Sequence, residues 1–279
     1  MRSMNRMATK ACACVLTVAA IGLVPATASA SWDWATGPSV YDGEGEDAKD
    51  WGVEIIPYLW LASLGGQVSL PPGTIDLDAS FGDLASNLQG GFAGVLDVRY
   101  RRWHLISDNS WVSLGVTQEI DTPGGPFIES ATADVALSVA FGTMAIAYEL
   151  PLKKTFAVDL YLGARWWHVT NDTVITVTPG GPGAPAVYDG GLTETWADFV
   201  AGVRWRNQIT EKWRLFASAD VGGGQASIDW SVNGGAGYDF NRHVGLSASY
   251  RVLGVDYTNR GFTYDVLQHG LLLGLNLRY

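Results

Sequence analysis

Cysteine is nearly absent. Cys12 and Cys14 are the only two, and both fall within the first thirty residues. The remaining chain therefore has no disulfide framework, no thiolate metal cluster and no cysteine nucleophile. Lysine is scarce too, at Lys10, Lys49, Lys153, Lys154 and Lys212, so the Lys/Glu-rich solvent face of an ordinary soluble sheet is missing. The net charge of −10 argues against nucleic acid, whose binding depends on neutralising phosphates. The one long apolar run, Ala11–Val24, is shorter than the roughly 20 residues a membrane-spanning helix needs. The glycines within 180–183 and 222–224 precede no helical pattern, which removes the nucleotide-loop reading, and no zinc-ligand cluster appears. No cofactor is expected.

The first thirty residues read as a secretory signal peptide: Arg2, Arg6 and Lys10 are basic, the apolar run follows, and Ala28-Ser29-Ala30 is a small-residue cleavage pattern. The cysteines sit at the start of that run, the wrong end for lipidation. Removing the three basic residues takes the net charge to about −13. Residues 31–50 are an acidic arm whose carboxylate spacing does not match an ordered calcium loop.

From residue 51 onward the dominant signal has period two. In the last stretch, Leu267, His269, Leu271, Leu273, Leu275, Leu277 and Tyr279 share one face; Gln268, Gly270, Leu272, Gly274, Asn276 and Arg278 share the other. Successive strand side chains point to opposite faces, so this is a strand with an apolar outside and a small, polar inside. Similar alternation recurs over 51–62, 91–101, 103–117, 131–150, 156–169, 196–207, 212–223, 227–240 and 244–257. The expectation is an all-β, antiparallel up-and-down transmembrane barrel over 51–279. Ten strands are favoured, with eight or twelve as alternatives, because single-chain barrels use even numbers. Thirty-four glycines, 12 tryptophans and 11 tyrosines suit twisted strands with interfacial rings.

Several local features are expected. Pro57 offers no ladder donor and predicts a bulge or break. Residues 63–89 hold a small hairpin (68–70 with 75–78) and a short helix near 81–88, spaced by Phe81, Leu84 and Leu88. In 131–150 the apolar phase switches from Val135, Leu137, Val139 and Phe141 to Met144, Ile146 and Tyr148, predicting a β-bulge near Gly142-Thr143. Long connections after the first, third and fifth strands, against short ones after the second, fourth, sixth and eighth, predict both termini on the periplasmic side. A soluble β-sandwich also alternates, but its solvent face would carry Lys and Glu rather than the Gly, Ser, Asp and Arg found here.

The ordered set of 57–60 (PYLW), 81–88 (FGDLASNL), 196–205 (WADFVAGVRW), 220–224 (DVGGG), 237–240 (GYDF), 249–253 (SYRVL) and 270–275 (GLLLGL) resembles small proteobacterial outer-membrane β-barrel proteins, of the OmpA/OmpW type. The resemblance covers nearly the whole chain after the signal and implies a barrel in the cell outer membrane. It carries over no catalytic residue. The final strand also resembles the signals that barrel-assembly machinery reads.

The inward positions predict an interior network of Glu54, Asp97, Arg99, Asp108, Asp159, Arg165, Asp198, Arg204, Arg214, Asp220, Asp229 and Arg251. This inward list pairs opposite charges: Asp97 with Arg99 and Arg101, Asp159 with Arg165, Asp198 with Arg204 and Arg206, Arg214 with Asp220, then Asp229 and Arg251. Such charges satisfy one another or meet water. A structural barrel or a narrow pore for small polar solutes follows, with outer-membrane lipid and lipopolysaccharide as surroundings. Ten strands lie near the filled end of the size range, so a closed lumen is expected. Two other readings are a surface-interaction barrel using 63–89 and 170–193, and a hydrolase with a rim site at His168 beside Asn171, Asp172 and Asp189. No enzymatic activity is expected.

Overall fold

The computed structural model describes residues 50–70, 73–120, 128–150, 152 and 156–279. The expected signal peptide and nearly all of the acidic arm lie outside them. The described chain forms eleven strands and one short helix: β1 (Trp51–Leu70), β2 (Gly73–Ala79), α1 (Phe81–Ser86), β3 (Leu88–Tyr100), β4 (Trp103–Ile120), β5 (Ile128–Glu149), β6 (Phe156–Pro179), β7 (Ala186–Gln208), β8 (Trp213–Gly224), β9 (Ile228–Asp239), β10 (Val244–Asn259) and β11 (Phe262–Arg278). All ladders are antiparallel; they join sequence neighbours except β1 with β3 and β11 with β1, the last of which closes the sheet into a ring. Closure gives every strand of the ring a partner on both sides over at least part of its length.

β2 pairs only with Leu64–Leu70 of β1, whereas β3 pairs with Trp51–Pro57. Ten strands thus carry the ring, and β2 is an added strand at one rim. The hairpin and helix expected in 63–89 are this β2 and α1. Ser80 caps α1 through a reciprocal capping box with Asp83.

One end of the barrel carries both ends of the barrel chain and the turns at 101–102, 209–212 and 240–243. This is the turn end. The other, loop end carries the connections at 180–185, 225–227 and 260–261. Outward-facing Leu59, Leu105, Met144, Ile146, Leu160, Leu162, Phe199 and Val221 form an exposed apolar belt, with Leu162 70% and Phe199 81% accessible. Near the turn end, Trp51 lies against Tyr100 (4.6 Å), Trp103 against Tyr148 (4.9 Å) and Trp213 against Tyr238 (5.1 Å). Phe92 and Trp111 pair 5.9 Å apart further up the wall. Eight residues separate Phe92 from Tyr100, a rise of roughly 20 Å along the axis of a tilted barrel and close to the height of a transmembrane apolar band.

The predicted bulge at Gly142-Thr143 is absent. The β4–β5 and β5–β6 registers run unbroken through it, and β5 shifts only near Ile128 and Ser130. The apolar switch has a different cause. Val139 and Phe141 face inward with Thr143, Ala145, Ala147 and Glu149, while Met144 and Ile146 face outward. The interior itself changes from apolar to polar along this strand; the backbone does not slip.

At Pro57 the chain breaks the ladder without a bulge. β1 pairs with β11 at Ile55↔Leu277 and resumes in the same register at Tyr58↔Gly274, skipping Ile56 and Pro57. Pro57 is also the last β1 residue paired to β3.

Candidate functional site

The interior has two layers. In the turn-end half it is ionic. Arg278 bonds Glu54 at 2.9 Å and Asp239 at 2.8 Å, and Arg214 lies 3.6 and 3.4 Å from the same two carboxylates. Asn276 adds a hydrogen bond to Glu54 at 3.0 Å. Above this, Arg204 reaches Asp97 and Asp159, both at 2.6 Å, and Arg206 reaches Asp159 at 2.9 Å and Glu149 at 3.1 Å. His104 Nδ1 lies 2.8 Å from Asp97. Arg99 is buried at the same end, its guanidinium lying over Gly52.

Nearer mid-barrel, Arg165 bonds Asp229 at 2.6 Å and Asp220 at 2.9 Å, and its Nε donates to Thr143. Tyr161 and Ser231 also donate to Asp220, at 2.8 and 2.7 Å. Arg251 bonds Asp108 at 2.8 Å and lies over the rings of Trp60 and Phe141, while Tyr58 donates to the same Asp108. Arginine suits these sites because its planar fork serves two carboxylates at once and it cannot be deprotonated.

The pairing differs from the sequence expectation. Arg165 bonds Asp220 and Asp229 rather than Asp159; Arg204 and Arg206 bond Asp97, Asp159 and Glu149 rather than Asp198; Arg214 lies with Glu54 and Asp239 rather than Asp220; and Arg251 bonds Asp108 rather than Asp229. Arg101 sits in the turn, left-handed at φ 54, and bonds Asp50 outside the lumen. The reason is geometric. Six residues along a strand span roughly 20 Å, so Asp159 and Arg165, or Asp198 and Arg204, cannot meet. Long side chains cross the lumen to other strands instead.

Asp198 stands apart from the ionic layer. It is buried toward the loop end, where Oδ1 accepts from the Ala226 backbone at 2.7 Å and holds the β8–β9 connection against β7. Sequence reasoning left out His104, Glu149, Asp239 and Tyr58. Parity would have found them: His104 is in phase with Asp108, Glu149 with Thr143, and Asp239 with Asn233.

The loop-end half is apolar and aromatic, correcting the expectation of a lumen filled throughout by Asp and Arg. Phe141, Trp167, Val169, Trp196, Leu253, Val255, Tyr257, Phe262, Tyr264 and Val266 form one buried cluster. Trp196 stacks on Tyr257 at 4.1 Å, Trp167 on Trp196 at 5.7 Å, and Phe141 lies 4.9 Å from Trp167. β6 and β11 are five places apart in either direction around the ten-strand ring, so they face each other across the lumen. Trp167 on β6 and Tyr264 on β11 nevertheless have ring centroids 6.0 Å apart. Trp167 Nε1 also donates to Asp229 at 2.9 Å, tying the two layers together.

His104, Glu149 and Asp159 offer donor atoms within 4.8 Å of one another, a spacing open to a metal ion. Arg206 Nη2 already lies 3.1 Å from Glu149 and 2.9 Å from Asp159, so a guanidinium takes the cation's place. His168 faces outward. Its Nδ1 lies 2.7 Å from the Thr195 hydroxyl and its Nε2 3.4 Å from Thr170. Asp172 pairs with Gly191 and Asp189 with Val174 in the ladder, and neither bonds His168 among the described residues.

The chain matches no protein-family model and no curated protein sequence. Similar solved structures include the translocator domain of the autotransporter NalP from Neisseria meningitidis, at 14% identity over 86% of this chain and 92% of that one, with a TM-score of 0.43. The attachment invasion locus protein Ail of Yersinia pestis is similar at 11% identity over 83% and 99%, with a TM-score of 0.33. The monoaromatic hydrocarbon channel CymD is similar at 10% identity over 82% and 88%, with a TM-score of 0.36. A closed antiparallel ring with an apolar outer belt and a polar and aromatic interior defines the class: an up-and-down transmembrane β-barrel.

Proposed function

We propose that the chain is an integral outer-membrane β-barrel with a sealed lumen, serving as a rigid membrane-embedded scaffold for the surface at its loop end. One observation carries this reading: the Trp167–Tyr264 contact at 6.0 Å between opposite walls, inside an aromatic layer that lies across the route a solute would take. The ionic layer beneath it adds cross-lumen bonds and stiffens the cylinder. The narrow polar pore is therefore the weaker reading, and the geometry at His168 gives the hydrolase none of the carboxylate support a catalytic histidine uses.

The orientation goes with this proposal. The turn end faces the periplasm with both termini, the loop end faces outward among lipopolysaccharide, residues 1–30 are the export signal, and β11 is the strand the assembly machinery reads. Cell fractionation followed by gel mobility with and without heating tests it. Sedimentation with outer membranes and a faster-migrating unheated form are expected. A detergent-free soluble protein whose mobility ignores heating would contradict it.

A further inference from the structure

The barrel wall is uneven at the loop end. β6 and β7 have 24 and 23 residues, whereas β8 and β9 have 12 each. The β7–β8 ladder ends at Asp198↔Gly224, while β7 continues pairing with β6 as far as Ala186. From Ala186 to Ala197, then, β7 has a ladder partner on one side only. Among the described residues, the one hydrogen bond reaching a backbone group on its other side is from Ala197 N to the Gln225 side chain at 2.8 Å. Alternation puts the backbone groups of Val187, Asp189, Gly191, Thr193 and Thr195 on that same open side. This edge contains no proline and no lysine, the residues that usually blunt an exposed edge.

Charge indicates what fits there. β4–β7 form a four-stranded wing above the short β8–β9 hairpin. Its outer face carries the exposed carboxylates Glu119, Asp134, Asp172 and Asp189, one from each strand. No Lys or Arg occurs from Trp103 to Leu150 or from Trp166 to Val203. The Asp172 carboxylate approaches the Gly191 backbone, beside the open edge.

From these observations we infer that the β7 edge, Val187–Thr195, captures an extended cationic peptide by strand addition: backbone hydrogen bonds supply the affinity, and Asp172 and Asp189 select for positive charge. The inference rests on the proposed scaffold role and names the chemistry of its partner. A second copy in the same bilayer is disfavoured, because a twofold axis along the membrane normal leaves two such tilted edges crossed rather than antiparallel.

The test uses the mature barrel in detergent micelles and a fluorescent, end-capped octapeptide of alternating lysine and valine, followed by anisotropy. Saturable binding that weakens as salt is raised is expected. N-methylation at alternate peptide positions is expected to reduce affinity at least tenfold, as is Thr193→Pro, whose lost N–H lies on the open side. Asp172→Lys with Asp189→Lys should flatten the salt dependence. Heat-modifiable mobility verifies that each variant is folded, and amide exchange of 187–195 should slow when peptide is added to the unmodified barrel, which needs no variant. No saturable binding, equal binding by the N-methylated peptide, or unchanged exchange would overturn the inference. Peptide capture by a barrel that also conducts ions would instead leave this inference standing and overturn the sealed lumen.

Discussion

Trp167 and Tyr264 stand on diametrically opposed strands, yet their rings meet at 6.0 Å. A ten-stranded ring is wide enough that small side chains on both walls would leave a gap; two large rings close it, with Trp196 stacked 5.7 Å behind. Replacing Trp167 and Trp196 together by Ala should open a water path and produce ion conductance in a planar bilayer. Each truncation costs about 3–5 kcal/mol of stability, so gel mobility must first show that the variant still folds. A folded double variant as impermeable as its parent would argue that other groups seal the lumen.

Arg165 holds Asp220 and Asp229 together in a buried site. Removing one member of such a cluster leaves uncompensated charge, at a cost of about 3–5 kcal/mol. Arg165→Met should therefore lower the denaturant midpoint far more than Ser231→Ala, which removes a single hydrogen bond to Asp220 and should cost about 1.5 kcal/mol. Equal midpoints for the two variants would count against the ionic layer as a structural element.

The outer belt makes a prediction opposite to that for a soluble sheet. Leu162 is 70% accessible and Val187 61%. In water an arginine at either exposed position would change stability by less than about 0.5 kcal/mol. In a bilayer, Leu162→Arg should cost roughly 2–4 kcal/mol and impair insertion, whereas Val187→Arg on the protruding wing should be neutral. Folding yield into lipid vesicles distinguishes the two.

Asp83 accepts from the Ser80 hydroxyl and backbone, and these bonds hold its carboxyl below the ordinary aspartate value of 3.8. The sign follows: the capping interaction is present above that value and is lost as pH falls through the lowered one. The NMR titration midpoint of Asp83 should lie below 3.8 and return toward it in Ser80→Ala. An unchanged midpoint would mean that the capping box does not form in solution.

Much of the architecture was legible because a barrel strand is written in period two. The C-terminal strand places Leu271, Leu273 and Leu275 outward and Asn276 and Arg278 inward as the alternation requires. The errors share a physical cause. Alternation gives the face of a residue but not what stands opposite, so it suggests Arg165 for Asp159, whereas Arg204 and Arg206 reach it across the lumen. For the same reason Val139 and Phe141 mimic a bulge in the sequence pattern. A lumen that is ionic at one end and aromatic at the other puts apolar residues on both faces of one strand, and a single strand cannot show which face is lipid. The free edge of β7 was hidden for a related reason: it exists because β8 and β9 are short, a relation between strands rather than a property of any one.

The most direct test is single-channel recording of the unmodified mature protein, monomeric in a planar bilayer. A membrane that stays at baseline conductance, with insertion verified separately, is the expected result. A large, stable conductance step from the monomer would contradict the aromatic seal and the scaffold role built on it.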